Sequence, residues 1–403
     1  MSTSTVGFLG QTERGPVDPR LVTGFEQFQR LYGGYIKESY LAYAVDGFFR
    51  NGGQRCFVGR IVGGSAGESS KDLTKDTENT IITVKATGPG TWGDRIAVKV
   101  EAASLSDSKP ELFKLTVVYW KDTVPTPLSP DVKEPTVAEV YDNLSPDPTS
   151  SDNYEKRVNG ISNLIELERE PEQVTYERPD YVDFETLSEG NDESPILGDY
   201  QGNPLANPGE RSGLVAFEEI DEISILCIPD EHAIRDLTDA VKEHCETMKD
   251  RFAILQAKQA AGPVANLRPS VNSTSLDSKY AAFYYPWIKV LDPLTNIYKL
   301  IPPGGHVAGI YARSDQERGV HKAPANEVVR GVSELQFKIT KGDQDVLNPR
   351  GVNCIRAFPG RGIRVWGART ISSDPLWKYI NIRRLFLFLE ESIDEGTQWV
   401  VFE

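Results

Sequence analysis

The chain has 403 residues, of which 39% are hydrophobic and 26% charged, and a formal net charge of −15. That length suits two or three domains with separate cores, and the composition is that of an ordinary globular protein. The acidic balance disfavours nucleic acid, whose phosphates it would repel, and no apolar run approaches the roughly 18 residues of a membrane-spanning helix.

In chain order, the first segment reads strand–helix–helix–strand. Val6 to Gly10 is strand-like. Thr23-Gly24-Phe25-Glu26 has the form of a capping box, with Thr23 as N-cap and Glu26 three residues on. Phe25, Phe28 and Leu31 then follow helical spacing until Gly33-Gly34. Tyr40 to Arg50 predicts a second helix, closed by Asn51-Gly52-Gly53, and Arg55 to Val62 returns as a strand.

From Gly63 the character changes. Residues 64–211 hold 14 Lys+Arg and 29 Asp+Glu, which is all of the net charge; the remainder holds 30 of each. Strands are expected over Thr80–Ala86, Ile96–Val100 and Leu112–Trp120. Residues 121–153 read as a loop with a short helix near Val137–Leu144, and 170–211 as an acidic loop. The expected division is a main domain in two parts, 1–63 and 212–403, with 64–211 inserted as an acidic, β-rich, outward-facing domain. The fold class is α/β (mixed α+β) and multidomain, the main domain being an α/β sandwich.

The main domain resumes at Leu214. Ile223–Ile228, a helix carrying Leu237, Val241, His244, Cys245 and Met248 on one face, and Phe252–Gln256 predict a parallel pair with a crossover helix. Tyr280–Val290 is strand-like. Asp374 and Pro375 signal the start of a last helix and Gly396 its end. The apolar run Ile382–Leu389 predicts burial over most of that helix. Thr397–Phe402 then reads as a strand, an abrupt finish that suggests a polypeptide continuing beyond it.

Catalytic signatures are weak. Gly360-Arg361-Gly362 lacks the further glycine of a dinucleotide fingerprint, and Gly304-Gly305-His306 has no phosphate-binding lysine. His244 and Cys245 lie about 100° apart around a helix, so they do not face one reacting atom. His306 and His321 read as structural. Cys56, Cys227, Cys245 and Cys354 are widely spaced and read as buried free thiols. No histidine pair has metal-ligand spacing, so neither metal nor cofactor is expected. Arg356, Arg361, Arg364, Arg369, Arg383 and Arg384 cluster near the C-terminus. Their guanidinium forks suit carboxylates and carbonyls, either within the chain or across a subunit or tube interface.

The most distinctive stretch is PPGGHVAGIYARSD, RGVHKAPANEVVRGV and LNPRGVNCIRAFPGRGIRVWGARTISSDPLWKY, between Pro302 and Tyr379. Its Gly, Pro and Arg content suggests backbone-shaped surfaces rather than a reaction centre. With Gly7-Phe8, Thr12–Pro16, Phe28–Gly34, Ser39–Val45, Phe48–Val58, Ile223–Asp230, Tyr284–Trp287, Asp292-Pro293 and Gly396–Glu403, it resembles the contractile tail sheath proteins of myovirus-like phages and related injection systems. Within the insert only Pro89–Asp94 resembles the family.

The resemblance implies a structural subunit, not an enzyme. Such subunits polymerise helically around an inner tube and contract to drive it through a target envelope. The implied partners are other sheath subunits, the inner tail tube protein, and baseplate and tail terminator proteins, with no nucleic acid and no membrane insertion. The implied setting is a virion tail or injection-system particle assembled in the host cytoplasm. Family members usually extend further at both ends, which implies a trimmed or partial chain here. Two other readings stay open: an α/β hydrolase-type enzyme with its site at the strand ends, and a receptor-binding module displaying the acidic insert.

Overall fold

The computed structural model describes residues 2–76, 79–170, 176–261, 264–271 and 274–401. The N-terminal part forms β1 (Val6–Gly10), β2 (Arg20–Val22), α1 (Phe25–Tyr32), α2 (Leu41–Arg50) and β3 (Cys56–Arg60). Gly24, not Thr23, is the N-cap of α1. No side chain caps the first helical N–H groups; instead Gln27 Oε1 accepts from the Thr23 N–H and hydroxyl, each at 2.9 Å, so Glu26 is not the partner.

Residues beyond Gly63 build β4 (Ser70–Lys75), β5 (Asn79–Ala86), β6 (Ile96–Ala102), β7 (Phe113–Tyr119), β8 (Val137–Leu144), α3 (Tyr154–Val158), β9 (Ile165–Arg169) and β10 (Val182–Thr186). The sheets run β10-β6-β7-β8 and β4-β5-β9, both antiparallel. The expected helix at Val137–Leu144 is therefore a strand. Half-buried and exposed positions alternate from Val137 to Tyr141, the period of a strand. The stretch 170–211, expected as loop, also contains β10 and the helix α4 (Leu197–Gln201).

The chain continues through α5 (Gly213–Phe217), β11 (Ile225–Cys227), α6 (Leu237–Met248), β12 (Phe252–Gln256), β13 (Ser270–Val271), β14 (Thr274–Ser275), β15 (Ala281–Tyr285), β16 (Ile288–Asp292) and β17 (Ile297–Ile301). It ends with α7 (Gly304–Arg318), β18 (Glu327–Val328), β19 (Glu334–Leu335), α8 (Lys341–Leu347), β20 (Val352–Phe358), β21 (Gly362–Val365) and α9 (Ile380–Thr397). Tyr280–Val290 is not one strand. Pro286 has no N–H to continue a ladder, and the two halves enter different sheets.

A nine-stranded sheet, ordered β18-β21-β20-β15-β12-β11-β1-β3-β2, organises the body. From β20 to β3 its neighbours are parallel, and the edges are antiparallel. Every residue of β1, β11, β12 and β15 is buried, as expected of a parallel sheet covered on both faces. One hydrophobic core joins residues 6–61 with 200–387, and a second holds residues 73–187. Leu197 and Tyr200 pack into the first.

The glycine-rich Gly304–Arg318 segment, read as part of a backbone-shaped surface, is buried instead. It is the buried helix α7, packed on α2, β11 and β12. A Cβ at Gly305 would collide with the Ala44 backbone, and one at Gly309 with the Phe48 carbonyl. On the α2 side, a Cβ at Gly47 would strike the His306 ring.

The last helix also differs from expectation. Asp374 caps only a 3-10 turn, accepting from the Leu376 N–H at 2.9 Å. Helix α9 starts at Ile380 and runs through Gly396 to Thr397. Its apolar residues are not mostly buried: Ile382, Phe386, Leu389 and Ile393 are exposed. Trp399 lies in a second 3-10 turn rather than a strand. The rest of the expected terminal strand, Phe402 onward, lies outside the described residues.

Candidate functional site

The arginines divide into two groups. Arg356, Arg361 and Arg364 sit on the β20–β21 hairpin and its turn, around the Phe358–Trp366 ring pair, whose centroids are 4.5 Å apart. Arg361 lies over both rings and donates to Asn326 Oδ1 at 3.1 Å. Arg364 donates to the Asn326 carbonyl at 2.7 Å, and Arg356 to the Ile339 carbonyl at 3.1 Å. Arg369 follows β21 and lies over the Tyr379 ring. Among the described residues none of these four has an ion-pair partner. Arg361 is exposed, and Arg356, Arg364 and Arg369 are half-buried, so their charge reaches the surface.

Arg383 and Arg384 behave differently. They are 2% and 4% exposed. Arg383 donates to Glu390 at 2.9 Å and stacks over Tyr280 and Trp377. Arg384 grips Asp315 of α7 at 2.7 and 3.0 Å and the Thr3 carbonyl at 2.6 Å. These two join α9 to the body from within, and the structure does not bring them together with the hairpin arginines.

The histidines and acids form no reaction centre. His306 is buried inside α7 with its Nδ1 unpartnered, and burial lowers its pKa to about 3. Burial lowers His244 to about 4, helped by Arg251, and Cys245 beside it is fully buried. Asn381 donates to the His321 carbonyl. Among the described residues no His, Cys, Asp and Glu group has the arrangement of a metal site.

Sequence reasoning missed two acids at the end of β11. Asp230 accepts from the Ser39 hydroxyl at 2.6 Å and the Tyr40 N–H at 2.9 Å, tying the strand end to the start of α2. Glu231 Oε1 accepts from the Gln256 N–H at 2.6 Å, while its Oε2 has no partner. The signal was Pro229-Asp230-Glu231 directly after an apolar strand. Carboxyls there must enter the core or cap a neighbour.

Comparison with known proteins places the fold that carries this surface. Residues 203–371 match the phage tail sheath protein central domain. Over that stretch the chain is similar to a sheath central domain. It is similar to the tail sheath protein of Escherichia phage P2, at 33% identity over 123 residues, 29% of this chain and 31% of that protein. Its fold is that of a sheath tail protein from Listeria innocua, with a TM-score of 0.64 at 11% identity, covering all of this chain and 80% of that one. The anti-feeding prophage helical sheath in its contracted state superposes with a TM-score of 0.53 at 20% identity, over all of this chain and 72% of that one. The chain spans between 30% and 51% of the length of three further curated tail sheath relatives.

The buried acids set a pH dependence. Burial raises Glu231 to about 8 and Asp230 to about 6. A raised carboxyl holds its proton in the folded state, so its contribution is full below the unfolded pKa and is lost as pH rises through the folded one. The depressed histidines act oppositely, but only below their ordinary value of 6.5. Between pH 6.5 and 8, Glu231 therefore dominates. The urea midpoint should fall across that window, and Glu231→Gln should flatten the fall.

Proposed function

We propose that the chain is a structural subunit of a contractile tail sheath, polymerising helically around an inner tube and contracting to drive that tube through a target envelope. The observation that carries the reading is the match to the sheath central domain over residues 203–371. The outward-facing arginines of the hairpin, held on carbonyls and rings rather than carboxylates, support it. The proposed partners are further copies of the chain, the inner tube protein, and baseplate and terminator proteins. The proposed setting is a particle tail assembled in the host cytoplasm, and no catalysis is assigned.

Within this reading the interface residues are Arg356, Arg361, Arg364 and Arg369. Arg383 and Arg384 serve the subunit's own integrity. Arg361→Ala should leave the unfolding midpoint near wild type and reduce tube formation seen by electron microscopy. Arg384→Ala strands Asp315 in the core and should cost about 3–5 kcal/mol of stability. Wild-type tube formation by Arg361→Ala, Arg364→Ala and Arg369→Ala together would exclude them from the interface.

Residues 64–191 are proposed to be a separately folding insert, the expected end at 211 moving back because Leu197 and Tyr200 pack into the body core. The Gly63 N–H donates to the Glu193 carbonyl at 3.2 Å, so the chain leaves and re-enters the body at one point. Leu197 and Tyr200 belong to the body core, so a deletion must stop before them. Replacing 65–191 by a short glycine linker should leave a body with native near-ultraviolet circular dichroism. A molten product would show that the insert is needed for the body to fold.

A further inference from the structure

A pocket of about 460 Å³ lies beside the start of α9, lined by Arg268, Arg350, Arg369 and Lys378. Asp277 is its one acidic residue, and that carboxylate already accepts from the Ser373 N–H at 2.9 Å and from the Ser373 hydroxyl. Arg350 donates to the Ala265 and Leu267 carbonyls, which position it without neutralising it. Among the described residues Arg268, Arg369 and Lys378 have no ion-pair partner. Four cations converging with one committed carboxylate make a receptor for carboxylates. Leu376, 77% exposed, adds an apolar knob nearby.

The other end of α9 has the opposite character. Glu390, Glu391, Asp394 and Glu395 occupy its last turns, and no basic residue lies in its final turn. A helix C-terminus favours cations, so this arrangement works against the helix itself. Glu391 is further crowded: burial and then the like charges of Asp250, Glu395, Asp221 and Asp394 raise its pKa. Exposed Ile393 and Trp399 stand beside these acids. At about 1.5 Å per residue, the 18 residues of α9 place the acidic end roughly 27 Å from the basic one. One copy cannot bring the two together along its own straight helix.

We propose that the pocket receives the acidic C-terminal turns of α9 from a second copy of the chain. The contact is head-to-tail, so it propagates rather than closing into a symmetric pair. It rests on the sheath reading and names one of the surfaces that such a subunit would use.

The test uses two charge-reversed variants, Arg350→Glu/Lys378→Glu in the pocket and Glu391→Lys/Asp394→Lys on α9. The pocket variant sets a net-negative pocket against the acidic turns and the α9 variant cancels the charge of those turns, so for each alone sedimentation velocity should show self-association weakened about tenfold or more relative to wild type. An equimolar mixture brings the unaltered pocket of one variant to the unaltered acidic turns of the other and should recover pairing between the two, which high salt then removes. The α9 variant should also melt no lower than wild type, because it removes acids from a helix C-terminus. A mixture that stays monomeric would overturn the contact. So would binding of inorganic phosphate in the pocket with α9 reversals having no effect on association. Either result alongside normal tubes would leave the sheath reading standing. Restored pairing without tubes from any variant or wild type would instead count against that reading.

Discussion

The body depends on the close approach of α7 to α2. The backbones touch at Gly305 and Gly309, and neither position has room for a Cβ. Glycine in a helix interior weakens the helix by roughly 0.5–1 kcal/mol relative to alanine. The contact is retained because it lets two helices far apart in sequence share one layer over the sheet. The two parts of the body, separated in sequence by the acidic segment, are locked together there. Nearby polar bonds fix the alignment: Gly304 N–H to Gln256 Oε1 at 2.8 Å, Asp230 to the start of α2, and Arg313 to the Asn51 carbonyl at 3.0 Å.

The titratable groups inside this body are held by burial and by hydrogen bonds to the backbone. Asp230, Glu231, His244 and His306 are shifted towards their neutral forms by burial. They do not converge on an open cleft with a nucleophile. Among the described residues the arginines of the β20–β21 hairpin have no carboxylate within ion-pair distance, and basic and acidic residues gather at opposite ends of α9. Arg384 ties α9 to α7 and to Thr3, so the last helix is fastened to the central layer and to the start of the chain.

Much of this is legible in the sequence. Apolar runs with clear punctuation, such as Val6–Gly10, Leu41–Arg50 and Phe252–Gln256, form the expected elements. Val137–Leu144 misleads because its alternation carries polar residues on both faces, which hides a strand on a sheet with a wet side. The α7 segment misleads because its glycines suggest a backbone-shaped surface, whereas they serve a buried helix contact. The four-residue spacing of Gly305 and Gly309, on one helix face, is the available signal. Helix α9 misleads because apolar content is not the same as burial. Its stripe of Ile382, Phe386, Leu389 and Ile393 follows helical spacing but stays exposed, although Phe386 meets the Trp377 ring edge-on. The six arginines stand out as a cluster in sequence, but sequence cannot divide the outward-facing ones from those buried in α9's seat.

Alanine substitution at the helix contact tests the central claim, because propensity and packing predict opposite signs. Gly396 lies within α9 with nothing around its missing Cβ, so Gly396→Ala should raise stability by about 0.5–1 kcal/mol in urea titration. Gly305→Ala and Gly309→Ala should instead lower it by about 1–3 kcal/mol, as overpacked core sites do. Stability at or above wild type in both variants would contradict the account, showing that the α2–α7 approach is not what sets the body's architecture.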